Sequence, residues 1–388
     1  MNARNIRITQ TCAVDARQAV QEFHAAIVQP HIELVVFFCS SEYDLAELAA
    51  SMNQLFPGIQ VVGCTTAGEI GPDGYRRHSL TGASFAAGSC FAVSGLLDQL
   101  NRFDNARVHD LAQSLLQRLE RKAPQADPKN SFAMLLIDGM SIREEPVAHA
   151  MQSALGRIPL VGGSAGDDRK FEQTWVYCDG RFHADSAALI LISTSLPFRV
   201  FMTHHFVATP ERLVVTEADT ATRTVRQING LPAAEEYARL IGVAVPELSA
   251  TRFAASPLVV VIEGTNYVRA IQKTNPDGSM KFFCAIEEGV VLRVAHGLDL
   301  EKNLQQTFDN IRAEIGPPQL VFGCDCILRN QEIVQNGQLG RVSEVFRRNN
   351  TVGFSSYGEQ FHGIHVNQTF TGIAVGQAAE PDGQPQDG

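Results

Sequence analysis

The chain of 388 residues holds one tryptophan, no Cys-x-x-Cys pair and no apolar run of the length a membrane helix requires. A spanning helix needs about 20 consecutive apolar residues, so no membrane insertion is expected. Without Cys-x-x-Cys, a structural zinc site and covalent c-type haem attachment are both excluded on motif grounds. Dense basic stripes are missing too: 32 Lys and Arg face 42 Asp and Glu, for a formal net charge of -10. That balance excludes a nucleic-acid backbone as the main partner. The first residues, with Arg4 and Arg7, lack the apolar core of a signal peptide, so a cytoplasmic location is expected. The eight cysteines are scattered and read as free thiols. Of these, only Cys324 and Cys326 are close; they share one strand face and read as two buried thiols.

What is present is a short loop written three times. The copies are Val62-Gly63-Cys64-Thr65-Thr66-Ala67-Gly68-Glu69, Val161-Gly162-Gly163-Ser164-Ala165-Gly166-Asp167 and Val352-Gly353-Phe354-Ser355-Ser356-Tyr357-Gly358-Glu359. Similarity at such long spacing points to repeated supersecondary units. In each unit an apolar run reads as a buried strand: Leu34–Phe38, Phe132–Ile137 and Leu320–Phe322. A helix follows, with its apolar face marked by Leu45, Leu48, Met52 and Leu55, by Val147, Met151 and Leu155, or by Leu339, Val342 and Phe346. Ser41 with Asp44 reads as a capping-box-like start of the first of these helices. A second strand then delivers the loop, and later strands close the units at Leu80–Ala86, Ala187–Ile192 and Thr369–Val375.

Between the second and third units lie short strand candidates from Leu213 to Ala295, a turn at Asn275-Pro276-Asp277-Gly278 and helices at Ala233–Ile241 and around Leu304–Ile315. The expected fold is therefore α/β and α+β. It consists of repeated β-α-β-loop-β modules with an antiparallel sheet-and-helix insertion between the second and third modules. With 45% hydrophobic residues the chain has enough apolar mass for substantial cores, and its length suits two or three domains. The tail from Glu380 is rich in Pro, Gly, Asp and Gln and reads as disordered.

In open α/β sheets ligands bind beyond the carboxyl ends of the strands, which is where the three loops fall. The ligand-loop candidates are Thr65, Glu69, Ser164, Asp167, Ser355 and Glu359. Glu69, Asp167 and Glu359 stand at matching loop ends, either to recognise a polar ligand or to accept backbone N–H bonds in a tight glycine turn. Gly162-Gly163-Ser164-Ala165-Gly166 has the form of a nucleophile elbow, but the polar segment after it offers no helix to build an oxyanion hole. Hydrolysis at Ser164 is thus a third-ranked reading, and no enzymatic activity is expected. His204, His205 and His365 lie in apolar surroundings; adjacent strand residues point to opposite faces, so His204 and His205 do not both serve one pocket.

The loops, together with Asn229-Gly230-Leu231-Pro232-Ala233-Ala234 and Gly363-Ile364-His365-Val366-Asn367-Gln368-Thr369-Phe370-Thr371-Gly372, resemble the FIST family of bacterial sensory proteins. The resemblance covers nearly the whole chain, as an N-terminal FIST region over 1–203, a FIST C region over 204–376 and a disordered tail at 377–388. It implies a ligand-sensing role in signal transduction. The full-length members that the chain looks like include nitric-oxide-sensing haem proteins, the NosP type. That likeness implies haem b, nitric oxide as ligand, and a histidine kinase or cyclic-di-GMP enzyme as partner. On this reading the haem iron is bound by one of His204, His205 or His365, the first two ranking ahead. Arg76-Arg77 and Arg169-Lys170 would stand near the propionates. Many FIST proteins carry Gly-Trp where this chain has His204-His205-Phe206. The alternative implied by the same family is a module sensing a small organic metabolite such as an amino acid.

Overall fold

The computed structural model describes residues 5–262 and 264–377. The expected tail at 377–388 lies outside them except for Gln377.

Strands that are apolar on both faces must be covered on both faces, and the repeated units arrange this three times. Each module runs strand, helix, strand, helix, strand, hairpin, strand. In module one these are Ile6–Thr11, Ala16–Ile27, Ile32–Ser40, Leu45–Leu55, Gln60–Thr66, the hairpin Glu69–Gly71 with Gly74–Arg76, and Leu80–Ala86. Module two has Cys90–Leu97, Asn105–Lys122, Ser131–Ile137, Glu144–Leu155, Leu160–Ser164, Val176–Cys178 with Arg181–His183, and Ala187–Thr194. Module three has Phe198–Thr203, Leu300–Ile315, Leu320–Cys326, the helices Ile327–Gln335 and Leu339–Arg348, Thr351–Ser356, Glu359–Phe361 with Ile364–Val366, and Phe370–Val375. The first strand of each module and the first helix of modules one and two escaped the sequence reading; the first helix of module three was read, but as part of the insertion.

Within a module the strands lie in the order first, last, second, third, and the second and third are parallel. The hairpin, however, leaves its own sheet. That of module one pairs with module three (Ile70 opposite Gly353), that of module three with module two (Glu359 opposite Gly163), and that of module two with module one (Val176 opposite Cys64). The exchange closes a ring, so each third strand, otherwise an open edge, is covered by a neighbour.

The repeated Val-Gly now has a physical reason. A Cβ on Gly63 would stand 2.5 Å from the Phe37 carbonyl oxygen, on Gly162 1.9 Å from that of Leu135, and on Gly353 1.8 Å from that of Gly323. These partners are the matching residues of the parallel neighbour in the three sheets. One face of each sheet packs into a shared centre containing Val36, Phe38, Phe132, Met134, Phe322 and Phe354. The other face carries its own helices, as Val35 and Phe37 do against Phe23 and Met52.

The helix Leu45–Leu55 joins two strands of one sheet, as its flanking pattern implied. Its N-cap is Asp44 itself, which accepts from the amides of Ala46 and Glu47, so the expected Ser41-led cap does not form. The insertion also moves relative to expectation: it lies inside module three, between Phe198–Thr203 and Leu300–Ile315. The first strand of that module precedes it and pairs with Phe370–Val375. The insertion is an antiparallel sheet with the helices Ala233–Ile241 and Ala250–Ala255. Its separate core includes Val215, Ile228, Tyr237, Phe282 and Leu292.

Candidate functional site

The three loops meet. Loop one joins loop three where the Ala67 amide donates to Ser355 O (2.9 Å) and the Ser355 amide to Gly68 O (2.7 Å). Loop three joins loop two where the Tyr357 amide donates to Ser164 O (3.0 Å) and the Ser164 amide to Gly358 O (2.8 Å). Loop two returns to loop one through the Gly166 amide and Thr65 O (3.0 Å). Thr65, Ser164 and Ser355 occupy one equivalent position and are fully buried. Thr65 Oγ1 accepts from the Trp175 amide, and Ser164 Oγ accepts from Gln360 Nε2 (2.9 Å), while Ser355 Oγ has no partner among the described residues. The Ser164 loop continues into a polar segment and then the strand Val176–Cys178, so it has no helix of the kind an elbow needs.

Glu69 and Glu359 are true equivalents. Glu69 accepts from Thr66 Oγ1 and from the amide (3.1 Å) and hydroxyl (2.8 Å) of Ser79. Glu359 accepts from Ser356 Oγ and from the amide (3.3 Å) and hydroxyl (2.6 Å) of Thr369. Burial pushes Glu69 up to about 7 and Glu359 up to about 8, against the pull of these donors. Asp167 does not match them. Val176 holds the corresponding strand position, because the loop of module two is longer. Asp167 instead accepts the amides of Phe171, Glu172 and Gln173 (2.9, 2.8 and 2.8 Å) and the hydroxyl of Tyr357. It pins that longer loop.

Where the loops of modules two and three face the insertion, a cavity of about 450 Å³ opens. Its core wall includes Glu144, Phe171, the segment Cys326–Leu328, Tyr357 and Asn367, and its insertion wall includes Arg223 and Lys281. Phe171 stacks on Tyr357 at 4.4 Å, giving that side an aromatic floor. Arg223 reaches across from the insertion to Glu144 (2.9 Å) and Glu145 (2.7 Å). Burial pushes Glu144 up, to about 7, with Arg223 opposing and the like charge of Glu145 adding. Lys281 has no ion pair among the described residues. Asn367 is 1% exposed, and its Oδ1 has no hydrogen-bond donor among them. An unpaired buried amide oxygen costs roughly 1–3 kcal/mol. The cavity has the size and mostly apolar lining of a small-molecule site, at the junction of two folding units.

The three histidines do not converge on it. His205 is sealed, its Nε2 2.9 Å from Glu332 Oε1 and its Nδ1 3.3 Å from Arg329 Nη1. His204 Nδ1 accepts the Phe206 amide. His365 shares its Nδ1 with Gln360 Nε2, and its ring lies against Gly358, where a Cβ would stand 2.4 Å from Cε1. Burial pushes His365 down to about 4, so it is neutral. A haem iron needs an axial His, Cys, Met or Tyr facing an apolar pocket. His205 has both nitrogens committed, whereas His365 keeps a buried Nε2 without a partner among the described residues and packs against Gly358. None of the three lines the large cavity, and Tyr357, which does, donates its hydroxyl to Asp167. As placed, the three histidines do not offer a ligand to that cavity, which Met140 and Cys326 also line. Among the described residues, no group of three or more His, Cys, Asp or Glu is arranged to hold a metal ion. Arg77, Arg169 and Lys170 are all exposed; Arg77 lines a separate small cavity, and the other two border neither.

Sequence reasoning passed over Asn367, Tyr357, Phe171, Arg223 and Lys281 as site residues. Asn367 and Tyr357 stood inside quoted segments, and their signal was a polar or aromatic residue at a strand end. Arg223 and Lys281 carried none, since only the docking of the insertion brings them in.

The model of the FIST N domain matches residues 33–231, and that of the FIST C domain matches residues 233–362. An uncharacterized protein of Methanocaldococcus jannaschii, MJ1623, is 23% identical over 382 residues, covering 88% of this chain and 73% of that protein. Among solved structures, cyanuric acid hydrolase from A. caulinodans aligns over 96% of this chain and 99% of its own, at 9% identity and a TM-score of 0.38. A second cyanuric acid hydrolase structure aligns with the same coverage at 10% identity and a TM-score of 0.37. At such values the likeness bears on neither activity nor ligand.

Proposed function

The chain belongs to the FIST family, whose domains imply a sensory role in signal transduction, and on that premise we propose that it senses a small organic metabolite in the cavity between the module ring and the insertion. The observation that carries this reading is Asn367: a buried side chain in the cavity wall with an oxygen that lacks a donor. A turn of the Asn367 side chain lets the ligand supply an N–H or O–H to that oxygen. Its flat or apolar body lies along Phe171 and Tyr357, and an anionic or acceptor group meets Lys281. Because the walls belong to two units, a ligand that touches both favours the docked insertion over a loosened one. Differential affinity for two arrangements is what a sensor requires. The chain acts on a partner, a histidine kinase or cyclic-di-GMP enzyme, and performs no hydrolysis of its own.

Haem b with nitric oxide is the competing reading within the family, and the placement of His204, His205 and His365 speaks against it. Thermal unfolding of the purified protein across a panel of organic metabolites tests the proposal. A ligand at about 100 times its dissociation constant adds ~2.7 kcal/mol of stability. The expected result is at least one stabilising metabolite whose effect is lost in Asn367→Leu and weakened in Lys281→Gln. A panel without effect, together with a stoichiometric Soret band on haem addition that shifts with nitric oxide, would replace this reading by the haem one.

A further inference from the structure

A second, smaller cavity of about 190 Å³ lies at the carboxyl end of module one, and no residue of the insertion lines it. Its wall includes Glu42, Thr66, Glu69, Arg77, His78 and Asp168. Most of these polar groups are already occupied. Glu69 is saturated by Thr66 and Ser79, and His78 Nδ1 lies 3.2 Å from Glu42. Two are not. Among the described residues, the exposed Arg77 guanidinium and the half-buried Asp168 carboxylate have neither a hydrogen bond nor an ion pair, with each other or with another protein group, and so stand open to solvent at the cavity rim. Opposite charges that border one small cavity and do not meet leave room for a molecule that meets both.

Position within the module supports the same conclusion. Thr369 pairs with Glu359 as Ser79 does with Glu69, which makes Arg77 the counterpart of Asn367. By the same register, Ser40 opposite Thr66 is the counterpart of Cys326 opposite Ser356. Asn367 and Cys326 line the large cavity, and Arg77 and Ser40 line the small one. The two cavities thus use matching places on the scaffold. In module two the matching place is filled: Asp138, the counterpart of Ser40, accepts from Thr174 of the longer loop and from the Asp185 amide.

We propose that the small cavity is a second binding site, for a small organic zwitterion whose anionic group pairs with Arg77 and whose cationic group pairs with Asp168. Arg77 offers a planar fork suited to a carboxylate, and Asp168 offers an acceptor-only carboxylate suited to an ammonium. The buried hydroxyl of Thr66 is turned to Glu69 and shapes the floor. This site does not depend on the reading of the large cavity.

Isothermal titration of the full chain with glycine, β-alanine, γ-aminobutyrate and glycine betaine tests it, with acetate and methylammonium as singly charged controls. At least one zwitterion is expected to bind saturably, and the controls at least about tenfold more weakly, as expected when one charged hydrogen-bonding partner is lost. Arg77→Gln and Asp168→Asn should each weaken binding by about tenfold or more. Both side chains are without partners, so both variants should fold, which circular dichroism verifies. Asn367→Leu and Lys281→Gln should leave this binding unchanged. Three results would overturn the proposal: no saturable heat with any zwitterion, acetate binding as tightly as the best zwitterion, or binding that survives Arg77→Gln and Asp168→Asn but fails in Lys281→Gln.

Discussion

Arg223 of the insertion donates to Glu144 of module two at 2.9 Å, with 12% and 3% of the two side chains exposed. The same guanidinium reaches Glu145 at 2.7 Å and the Phe283 carbonyl at 2.6 Å. One side chain therefore clamps the insertion to the ring at the wall of the large cavity.

Removing this clamp leaves two carboxylates facing one another in a buried setting. Arg223→Ala is expected to cost about 3 kcal/mol in urea unfolding, the scale seen when one partner of a buried pair is deleted. The loss should fall chiefly on the insertion, so hydrogen exchange should speed up at Thr224–Ile228 before the core strand Ser131–Ile137 responds. Equal loosening of both would show that the clamp does not set the docking.

The two buried loop carboxylates give a pH signature. Burial raises Glu69 to about 7 and Glu359 to about 8 from an ordinary 4.5. Between 4.5 and those values the folded state holds more protons than the unfolded chain, so unfolding free energy falls as pH rises. Their contribution is complete below pH 4.5 and is lost as pH passes 7 for Glu69 and 8 for Glu359. Denaturant midpoints measured from pH 5 to 9 should decline in the wild type. In Glu69→Gln with Glu359→Gln, neutral and near in shape, that slope should flatten; an unchanged slope would assign the effect to other groups.

Glycine positions separate packing from conformation. Gly353→Ala would place a Cβ 1.8 Å from the Gly323 carbonyl oxygen, so the parallel pair must part. A loss of about 3 kcal/mol or outright failure to fold is expected. Gly340, inside the helix Leu339–Arg348, has nothing within 4 Å of its added Cβ. There alanine should add ~0.5–1 kcal/mol by lowering the entropy of the unfolded chain. Thermal midpoints of the two variants should move in opposite directions.

The exchanged hairpins predict that no module is independent. Residues 1–88 expressed alone carry the strand Gln60–Thr66 without the Val176–Cys178 strand that covers it. This fragment should lack a cooperative unfolding transition, as measured by near-ultraviolet circular dichroism. A sharp transition in the isolated fragment would show that the ring closure is dispensable.

The threefold repeat was legible because its constraint is local. A glycine is required wherever a Cβ would strike the parallel neighbour, and Val-Gly recurs for that reason. The buried strands were legible for a similar cause, since Leu34–Phe38 and Phe132–Ile137 are covered on both faces. By contrast, Ile6–Thr11 lies at a sheet edge and mixes Arg7, Thr9 and Gln10 into its pattern, which left it unread. The equivalence drawn between Asp167 and the two glutamates failed because the longer loop shifts the register, putting Val176 in the glutamate place. No sequence pattern reveals that hairpins swap sheets, nor that Arg223 and Lys281 come to face Asn367, because those contacts arise only when distant units dock. His205 looked available because an apolar neighbourhood in sequence does not disclose Arg329 and Glu332.

The central claim is that an organic metabolite occupies the cavity walled by Asn367 and Lys281. Native mass spectrometry of the protein after incubation with a filtered cell extract tests it most directly. The account predicts a single added mass of a small organic molecule, present on the wild type, reduced on Lys281→Gln and absent on Asn367→Leu. A bound mass equal to haem b, retained by both variants and lost when His204, His205 or His365 is replaced by alanine, would contradict it.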